Sequence, residues 1–225
     1  MGWTLFRLEN YKEAEQPLRT AIELDPDFAD AHDNLGRVLI ILGKTKEATE
    51  QLEKSVRLKP DDPETRHSLG LAYCDEKHFD EGAAAFLEAI ELRPDYADAY
   101  NNLALTYQEL QRDDDAVAAF HKAVSLSPND PLALKNLGAL LLRTKKYEDA
   151  IPIWERAVEL EPSDISVRMS LGWALGETGR HQEAVRTYQR GWNSRQTLRP
   201  ATTASVCVIG IFANTNRPLR LSGGP

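Results

Sequence analysis

Apolar residues recur along most of this chain in pairs of short stripes, and each stripe has the spacing of one helix face. In the stretch 29–60 the first stripe consists of Leu35, Val38, Leu39 and Leu42. A break follows at Gly43, and the second stripe comprises Ala48, Leu52 and Val56. Spacings of three and four residues are typical of an amphipathic helix, and glycine is a common stop signal. The pattern therefore predicts two short helices joined by a tight turn.

The same two-helix pattern returns at a fixed interval of 34 residues. A proline closes each unit, at Pro26, Pro60, Pro94, Pro128 and Pro162. Proline just beyond a helix cannot continue its hydrogen-bond ladder, and self-similarity at a period of this size indicates a stacked-repeat architecture. We therefore expect one elongated repeat domain over 1–192. It comprises a partial repeat at 1–28, full repeats at 29–62, 63–96, 97–130 and 131–164, and a degenerate repeat at 165–192.

Short polar residues follow four of these prolines directly, namely Asp61, Asp95, Asn129 and Ser163. The first N–H groups of a helix have no partner within the helix, and side chains of this kind satisfy them. We therefore expect these four residues to help cap the first helix of the next unit.

Small side chains recur at one site in each half of the unit. In the first half they are Gly36, Gly70, Ala104, Gly138 and Gly172, and in the second half Ala14, Ala48, Gly82, Ala116, Ala150 and Ala184. Two closely packed helices need a small residue where their axes cross. Larger residues share a neighbouring site and are predicted to fill the core, namely Leu18, Leu52, Phe86, Phe120, Trp154 and Tyr188.

This combination of bulky, small and aromatic sites at a 34-residue period resembles the tetratricopeptide repeat. The bulky site that is often Trp in that family is degenerate here and holds His32, Arg66, Tyr100, Leu134 and Arg168. The resemblance covers about residues 2–192. It implies an all-α fold in which antiparallel helix pairs stack into a right-handed superhelical solenoid with a concave groove. The function it implies is a protein–protein interaction scaffold whose groove binds an extended peptide or a partner helix.

A row of asparagines is the most informative polar feature. Asn34, Asn102 and Asn136 occupy one repeat site on the first helix, and Ser68 and Ser170 fill it in two other units. Asparagine offers both a donor and an acceptor, so such a row can bond a peptide backbone of any sequence. It resembles the asparagine ladder in the repeats of O-linked N-acetylglucosamine transferases, which holds extended substrate peptides. The alternative is structural, with each amide bonding neighbouring turns.

Five further residues complete the predicted peptide-binding set. Ser68 lies within the row, and Arg37, Asn101, Lys135 and Trp173 lie beside it. The site grades from charged residues near its start to apolar ones near Met169 and Trp173. Tryptophan is favoured at binding hot spots, so Trp173 is either an exposed anchor for a partner or a residue that packs against the C-terminal tail.

Charge and chemistry narrow the function further. Four of the 27 Lys and Arg residues lie in 193–225, a stretch without Asp or Glu. The first 192 residues therefore hold 23 basic and 35 acidic side chains, and their net charge is −12. An acidic body argues against a nucleic-acid or anionic-membrane surface.

The sequence contains no convincing catalytic or metal-binding motif. The five histidines fall at five different repeat sites, and no phosphate loop or nucleophile elbow occurs. We therefore expect no enzyme activity, metal or cofactor.

Cysteine usage and the chain start bear on location. The two cysteines, Cys74 and Cys207, are far apart and form no CxxC motif, which is typical of a reducing compartment. The first residues lack the basic start and apolar run of a signal peptide. We expect a cytoplasmic protein.

The two ends of the chain leave two further roles open. Residues 193–225 are predicted to form an irregular or disordered tail with a short apolar, β-prone run at Val206–Phe212. If that run begins another domain, the solenoid is the substrate-targeting arm of a multidomain enzyme such as a glycosyltransferase or sulfotransferase. The repeat pattern also starts inside a unit, and self-association through uncapped terminal helices is the second further role.

Overall fold

A computed structural model describes the backbone of residues 11–197 and the side chains of residues 11–190. Residues 1–10 and 198–225 lie outside it, and with them the start of the partial repeat and the run Val206–Phe212. The described part contains eleven helices and no strand, which confirms the all-α prediction. The helices are α1 (Tyr11–Leu24), α2 (Ala29–Ile41), α3 (Thr45–Leu58), α4 (Pro63–Asp75), α5 (Phe79–Leu92), α6 (Ala97–Glu109), α7 (Asp113–Leu126), α8 (Pro131–Arg143), α9 (Tyr147–Leu160), α10 (Ile165–Glu177) and α11 (His181–Thr197).

Each unit is a pair of helices that pack side by side, α2 on α3, α4 on α5, α6 on α7, α8 on α9 and α10 on α11. The second helix of each unit packs on the first helix of the next, which stacks the pairs into a solenoid. None of the described helices is both long and apolar enough to cross a membrane.

Successive first helices also pack on each other, as α2 does with α4, α4 with α6 and α8 with α10. Within residues 11–197, no two second helices of neighbouring units pack together to that extent. The first helices are therefore closer to one another than the second helices are, and they line the inner, concave side of the stack. We call this surface the inner groove.

The packing of each pair depends on the small residues where the helices cross. A side chain placed on Gly36 would bring its Cβ within 2.5 Å of Leu52 Cγ, and one on Gly138 within 2.5 Å of Trp154 Cε2. The facing large residues are themselves almost fully buried. The predicted role of the small site is confirmed: it leaves room for the bulky residue sixteen positions later.

Within residues 11–197, each turn between the two helices of a unit holds a residue with left-handed backbone angles at the same repeat site. Its φ is +72° at Gly43, +65° at Lys77, +59° at Gln111, +60° at Lys145 and +79° at Gly179. The residue after it closes the first helix, as Lys44 N–H does by donating to the Leu39 carbonyl at 2.9 Å. Three of the five turns therefore hold a side chain where glycine is favoured.

Three first helices are capped one residue later than the sequence suggested. Asp62, Asp130 and Asp164 accept the N–H two residues further on, at 3.0, 2.9 and 2.8 Å. Proline occupies the first helical position after two of these caps, where its missing N–H has no partner to lose. The expectation that Asp61, Asn129 and Ser163 cap these helices was wrong, because the helices begin one residue further along the chain.

The degenerate bulky site has a polar function in three units. His32 Nε2 lies 2.9 Å from the carbonyl oxygen of Pro26. Arg66 Nε donates to the Pro60 carbonyl at 2.9 Å and Arg168 Nε to the Pro162 carbonyl at 3.0 Å. Each of these side chains bonds the carbonyl oxygen of the proline in the loop before its own helix. The contact therefore connects that loop to the helix that follows it.

Candidate functional site

The asparagine row lies on the inner groove, and two of its members bridge neighbouring units. Asn102 Nδ2 lies 2.8 Å from His67 Nε2, which links α6 to α4. Asn136 Nδ2 donates to Asn101 Oδ1 at 3.1 Å, which links α8 to α6. Both asparagines are half-buried. The row therefore crosses the seams between first helices rather than standing free above them.

His67 is held in a mostly apolar position on this surface. Its ring lies 5.4 Å from the ring of Phe86 and 5.0 Å from that of Tyr96, measured between centroids. Burial lowers the pKa of His67 below its ordinary value, and Asp98 opposes that shift. The imidazole is therefore neutral at pH 7. No periodic signal predicts this contact, since His67 is the only histidine at its repeat site.

Asn34 and Ser68 are bound within their own helices. Asn34 Nδ2 donates to the carbonyl of Asp30 at 2.7 Å, and the Ser68 hydroxyl donates to the carbonyl of Glu64 at 2.9 Å. Ser68 is only 6% exposed. These two predicted site residues therefore occupy the row without joining neighbouring helices.

Lys135 lies beside the row with its charge already balanced. Its ammonium is 2.6 Å from Glu161 Oε2 and 3.1 Å from Asp164 Oδ2. Together with the hydrogen bond from Ser166, the Lys135 contact lowers the pKa of Asp164 to about 2. Lys135 is thus less available to an anionic ligand than the sequence alone indicates.

The start of the groove carries a half-buried acid, Asp33, to which the sequence analysis assigned no role. Asp33 Oδ2 lies 3.8 Å from an Arg37 guanidinium nitrogen, while Asp33 Oδ1 is buried without a hydrogen-bond partner among the described residues. Burial raises the pKa of Asp33 to about 6, and the nearby Arg37 charge only partly offsets it.

An open pocket of about 440 Å³ lies in the middle of the groove, between α4 and α6. Leu71, Cys74, Phe86 and Leu105 form its apolar walls, and Asn102 of the row lines one side. This volume is at the small end of the range for ligand sites. Burial raises the pKa of the Cys74 thiol, so this cysteine is not an activated nucleophile.

Apolar side chains are exposed at the far end of the groove. Trp173 is 47% exposed, Met169 44% and Leu132 60%. The Trp173 indole N–H donates to Glu177 at 3.3 Å, and its ring lies 6.5 Å from that of Tyr147. The predicted grading from charged to apolar residues is thus visible in the exposed side chains.

This geometry defines the class of the protein. A stack of antiparallel helix pairs with an inner face of half-buried amides and exposed apolar side chains is a helical-repeat scaffold, and such scaffolds use their concave surfaces for binding.

The chain belongs to the tetratricopeptide repeat family. A family model described as tetratricopeptide repeat matches residues 67–131 and 135–192, which together make up more than half of the chain. A TPR repeat model matches 36–76, and two further tetratricopeptide repeat models match 18–50 and 1–28. The resemblance to the family is confirmed. The narrower resemblance to the repeats of O-linked N-acetylglucosamine transferases stays a prediction.

Solved structures with the same fold include several repeat proteins. MamA is 20% identical over 78% of this chain and 98% of its own, with a TM-score of 0.69. PilF of Pseudomonas aeruginosa is 22% identical over 88% of both chains, with a TM-score of 0.72. YrrB, described as a TPR protein with an unusual peptide-binding site, is 17% identical over 80% of this chain and 93% of its own, with a TM-score of 0.68. At these identities the likeness establishes the fold. No curated protein matches the chain in sequence.

Proposed function

We propose that the inner groove of this scaffold binds an extended peptide or a partner helix, and that Asn34, Asn102 and Asn136 bond the backbone of an extended ligand. The observation that carries the proposal is the position of Asn102 and Asn136, half-buried on neighbouring first helices at the surface where those helices meet. Selection among sequences then falls to the side chains beside them, namely Arg37, Asn101, Lys135 and Trp173, and Ser68 completes the row.

The free chain leaves one half of each bridging amide for a ligand. The Nδ2 groups of Asn102 and Asn136 are engaged across the seams, whereas their Oδ1 atoms accept no hydrogen bond from the described residues. A peptide N–H can donate to such an oxygen whatever its side chain. One neutral hydrogen bond contributes about 1 kcal/mol, so binding requires several such contacts together.

The spacing of the row suits an extended chain. Packed helices lie about 8–10 Å apart, and an extended peptide rises about 3.3 Å per residue. Neighbouring units therefore address roughly every third residue of the ligand. The segment that spans from Asn34 to Asn136 would be about nine residues long on this basis.

The described peptide-binding site of YrrB gives a precedent for peptide binding on this fold. The precedent supports the class of ligand and leaves the residues that contact it to be tested on this chain.

Binding of a diverse array of extended peptides to the intact chain tests the proposal. The comparison is with the variant in which Asn34, Asn102 and Asn136 are all replaced by Ala. Asn129→Ala is the matched control, since Asn129 is exposed in the loop before α8. Circular dichroism checks that all three proteins are folded.

The proposal expects the triple variant to lose peptides of unrelated sequence while the Asn129 control keeps them. Unchanged binding by the triple variant would contradict a backbone-binding role for the row and favour the structural alternative.

A further inference from the structure

The pocket between α4 and α6 suits one side chain of a bound segment better than a whole small molecule. Its walls of Leu71, Phe86 and Leu105 are apolar, and Leu105 is 40% exposed. Asn102, which lines the pocket, belongs to the row proposed above to bond a peptide backbone. A ligand held by Asn102 would therefore place a neighbouring side chain at this pocket.

The charges at the mouth of the pocket are unequal. Arg143 lines the pocket, but its guanidinium donates to Asp113 Oδ1 at 2.6 Å, so its charge is balanced. Glu109 also lines the pocket, is exposed, and has neither an ion pair nor a hydrogen bond among the described residues. Asp98, which is near enough to His67 to influence its pKa, is exposed and equally unpaired. The surplus charge here is negative.

Cations elsewhere along the groove also have acidic neighbours. Lys135 forms ion pairs with Glu161 and Asp164, and Arg37 lies beside the half-buried Asp33. The cations of the inner face thus have acidic neighbours, whereas carboxylates remain unpaired in the middle of it. A ligand segment with Lys or Arg residues complements this surface, and an acidic one is repelled.

We propose that the groove selects a basic, extended segment of a partner protein, with one large apolar side chain in the α4–α6 pocket and flanking Lys or Arg residues beside Glu109 and Asp98. This inference rests on the proposed peptide-binding function and names the chemistry of its ligand. It makes Leu71 and Leu105 the residues that select size, and Glu109 a residue that selects charge.

Fluorescence anisotropy with three labelled twelve-residue peptides and the full chain tests the inference at low salt. The first peptide has one Leu between four Lys residues in a Gly/Ser background, the second replaces Leu by Ala, and the third replaces Lys by Glu. Burial of a Leu side chain predicts about tenfold weaker binding for the Ala peptide. We expect the Glu peptide to bind at least tenfold more weakly, and the difference to shrink at high salt.

Three single variants of the chain assign the selectivity. Glu109→Gln should reduce the preference for Lys over Glu about threefold to fivefold, as expected for one exposed ion pair, and keep the preference for Leu. Glu155→Gln is the matched control, because Glu155 is exposed on the second helix α9 and undergoes the same charge change. Leu105→Glu, at an exposed position, should abolish the preference for Leu without unfolding the chain.

The outcomes separate this inference from the proposed function. If the three peptides bind equally and the Asn34/Asn102/Asn136→Ala variant loses them all, the groove binds peptides but the inference is wrong. If none of the three peptides binds while members of the diverse array do, the inference is wrong and the proposed function stands. If neither set binds, both are wrong. If the chain instead self-associates in sedimentation and Leu105→Glu makes it monomeric, the occupant is a second copy of the chain and the inference is also overturned.

Discussion

Asn102 Nδ2 and His67 Nε2 lie 2.8 Å apart across the seam between α6 and α4. An amide nitrogen carries only donors, so the bond requires His67 to accept through Nε2 and to carry its single proton on Nδ1. The surrounding charges are mixed, with Asp98 and Glu64 favouring the imidazolium and Arg37 and Arg93 opposing it. Burial outweighs them and keeps the ring neutral.

His67→Gln should weaken the dependence of stability on acid pH. The folded-state pKa of His67 is lowered, so the unfolded chain binds the proton more readily. Its contribution to stability is complete above the unfolded pKa of about 6.5 and is lost as pH falls through the folded value. Glutamine keeps an acceptor but does not titrate. Urea unfolding at pH 7.5 and pH 5 should therefore show a smaller loss for the variant than for the parent chain, and an equal loss in both would contradict this account.

Asp33→Asn should stabilise the chain at neutral pH and lose that effect in acid. The pKa of Asp33 is raised from 3.8 to about 6, which corresponds to about 3 kcal/mol at most when the carboxylate is ionised. Because the folded state holds the proton more tightly, stability falls as pH rises from 4 to 6 and stays low above that range. Urea unfolding of the variant and the parent at pH 4 and pH 8 measures the difference. A stabilisation of the same size at both values would rule out titration of Asp33 as its cause.

Replacing Lys145 by Gly should raise the free energy of unfolding by about 1 kcal/mol. Lys145 has a φ of +60° in the turn between α8 and α9, a conformation that is unfavourable for residues with a Cβ. Gly43 holds the equivalent position in another unit, and Gly43→Ala should destabilise the chain by a similar amount. Thermal unfolding of the two variants checks the opposite signs. If Lys145→Gly instead lowers the free energy of unfolding, the contacts of the Lys145 side chain contribute more than its left-handed backbone conformation costs.

Gly138→Ala and Gly176→Ala should also act in opposite directions. A Cβ at Gly138 meets Trp154, so the ring or the helix pair must shift, at a cost of about 1–3 kcal/mol. A Cβ at Gly176 meets nothing within 4 Å, and alanine there gains up to about 1 kcal/mol of helix propensity. Chemical denaturation of both single variants compares them directly. Equal effects would mean that close packing at the crossing site is not what selects glycine.

Most of the fold could be predicted from the sequence because the same pairing of small and large residues recurs in each repeat. Gly36 opposite Leu52, and Gly138 opposite Trp154, follow from the period and from the size of the side chains. Contacts that depend on a single unit could not be predicted in this way. The bond between Asn102 and His67 joins two different repeat sites, and no periodic signal marks it.

Other features were visible in the sequence but were interpreted too generally. Arg66 and Arg168 looked like losses from a bulky site, although both are donors placed six residues after a proline whose carbonyl they bind. The helix caps were expected one residue too early, since the offset between the proline and the helix start depends on backbone angles. The buried Oδ1 of Asp33 depends on the packing of α2 against α4 and has no signature in composition.

The hydrogen bond from Asn136 to Asn101 connects the proposed binding surface to the curvature of the solenoid. The rotation between consecutive units sets the curvature of a solenoid. The hydrogen bond between the Asn136 and Asn101 side chains is one of the restraints on that rotation between α6 and α8. A peptide N–H that donates to the Asn136 Oδ1 atom would act on the same side chain and change the spacing of the two helices. The superhelical pitch would then report occupancy, and small-angle X-ray scattering would record ligand binding as a change in the length of the molecule.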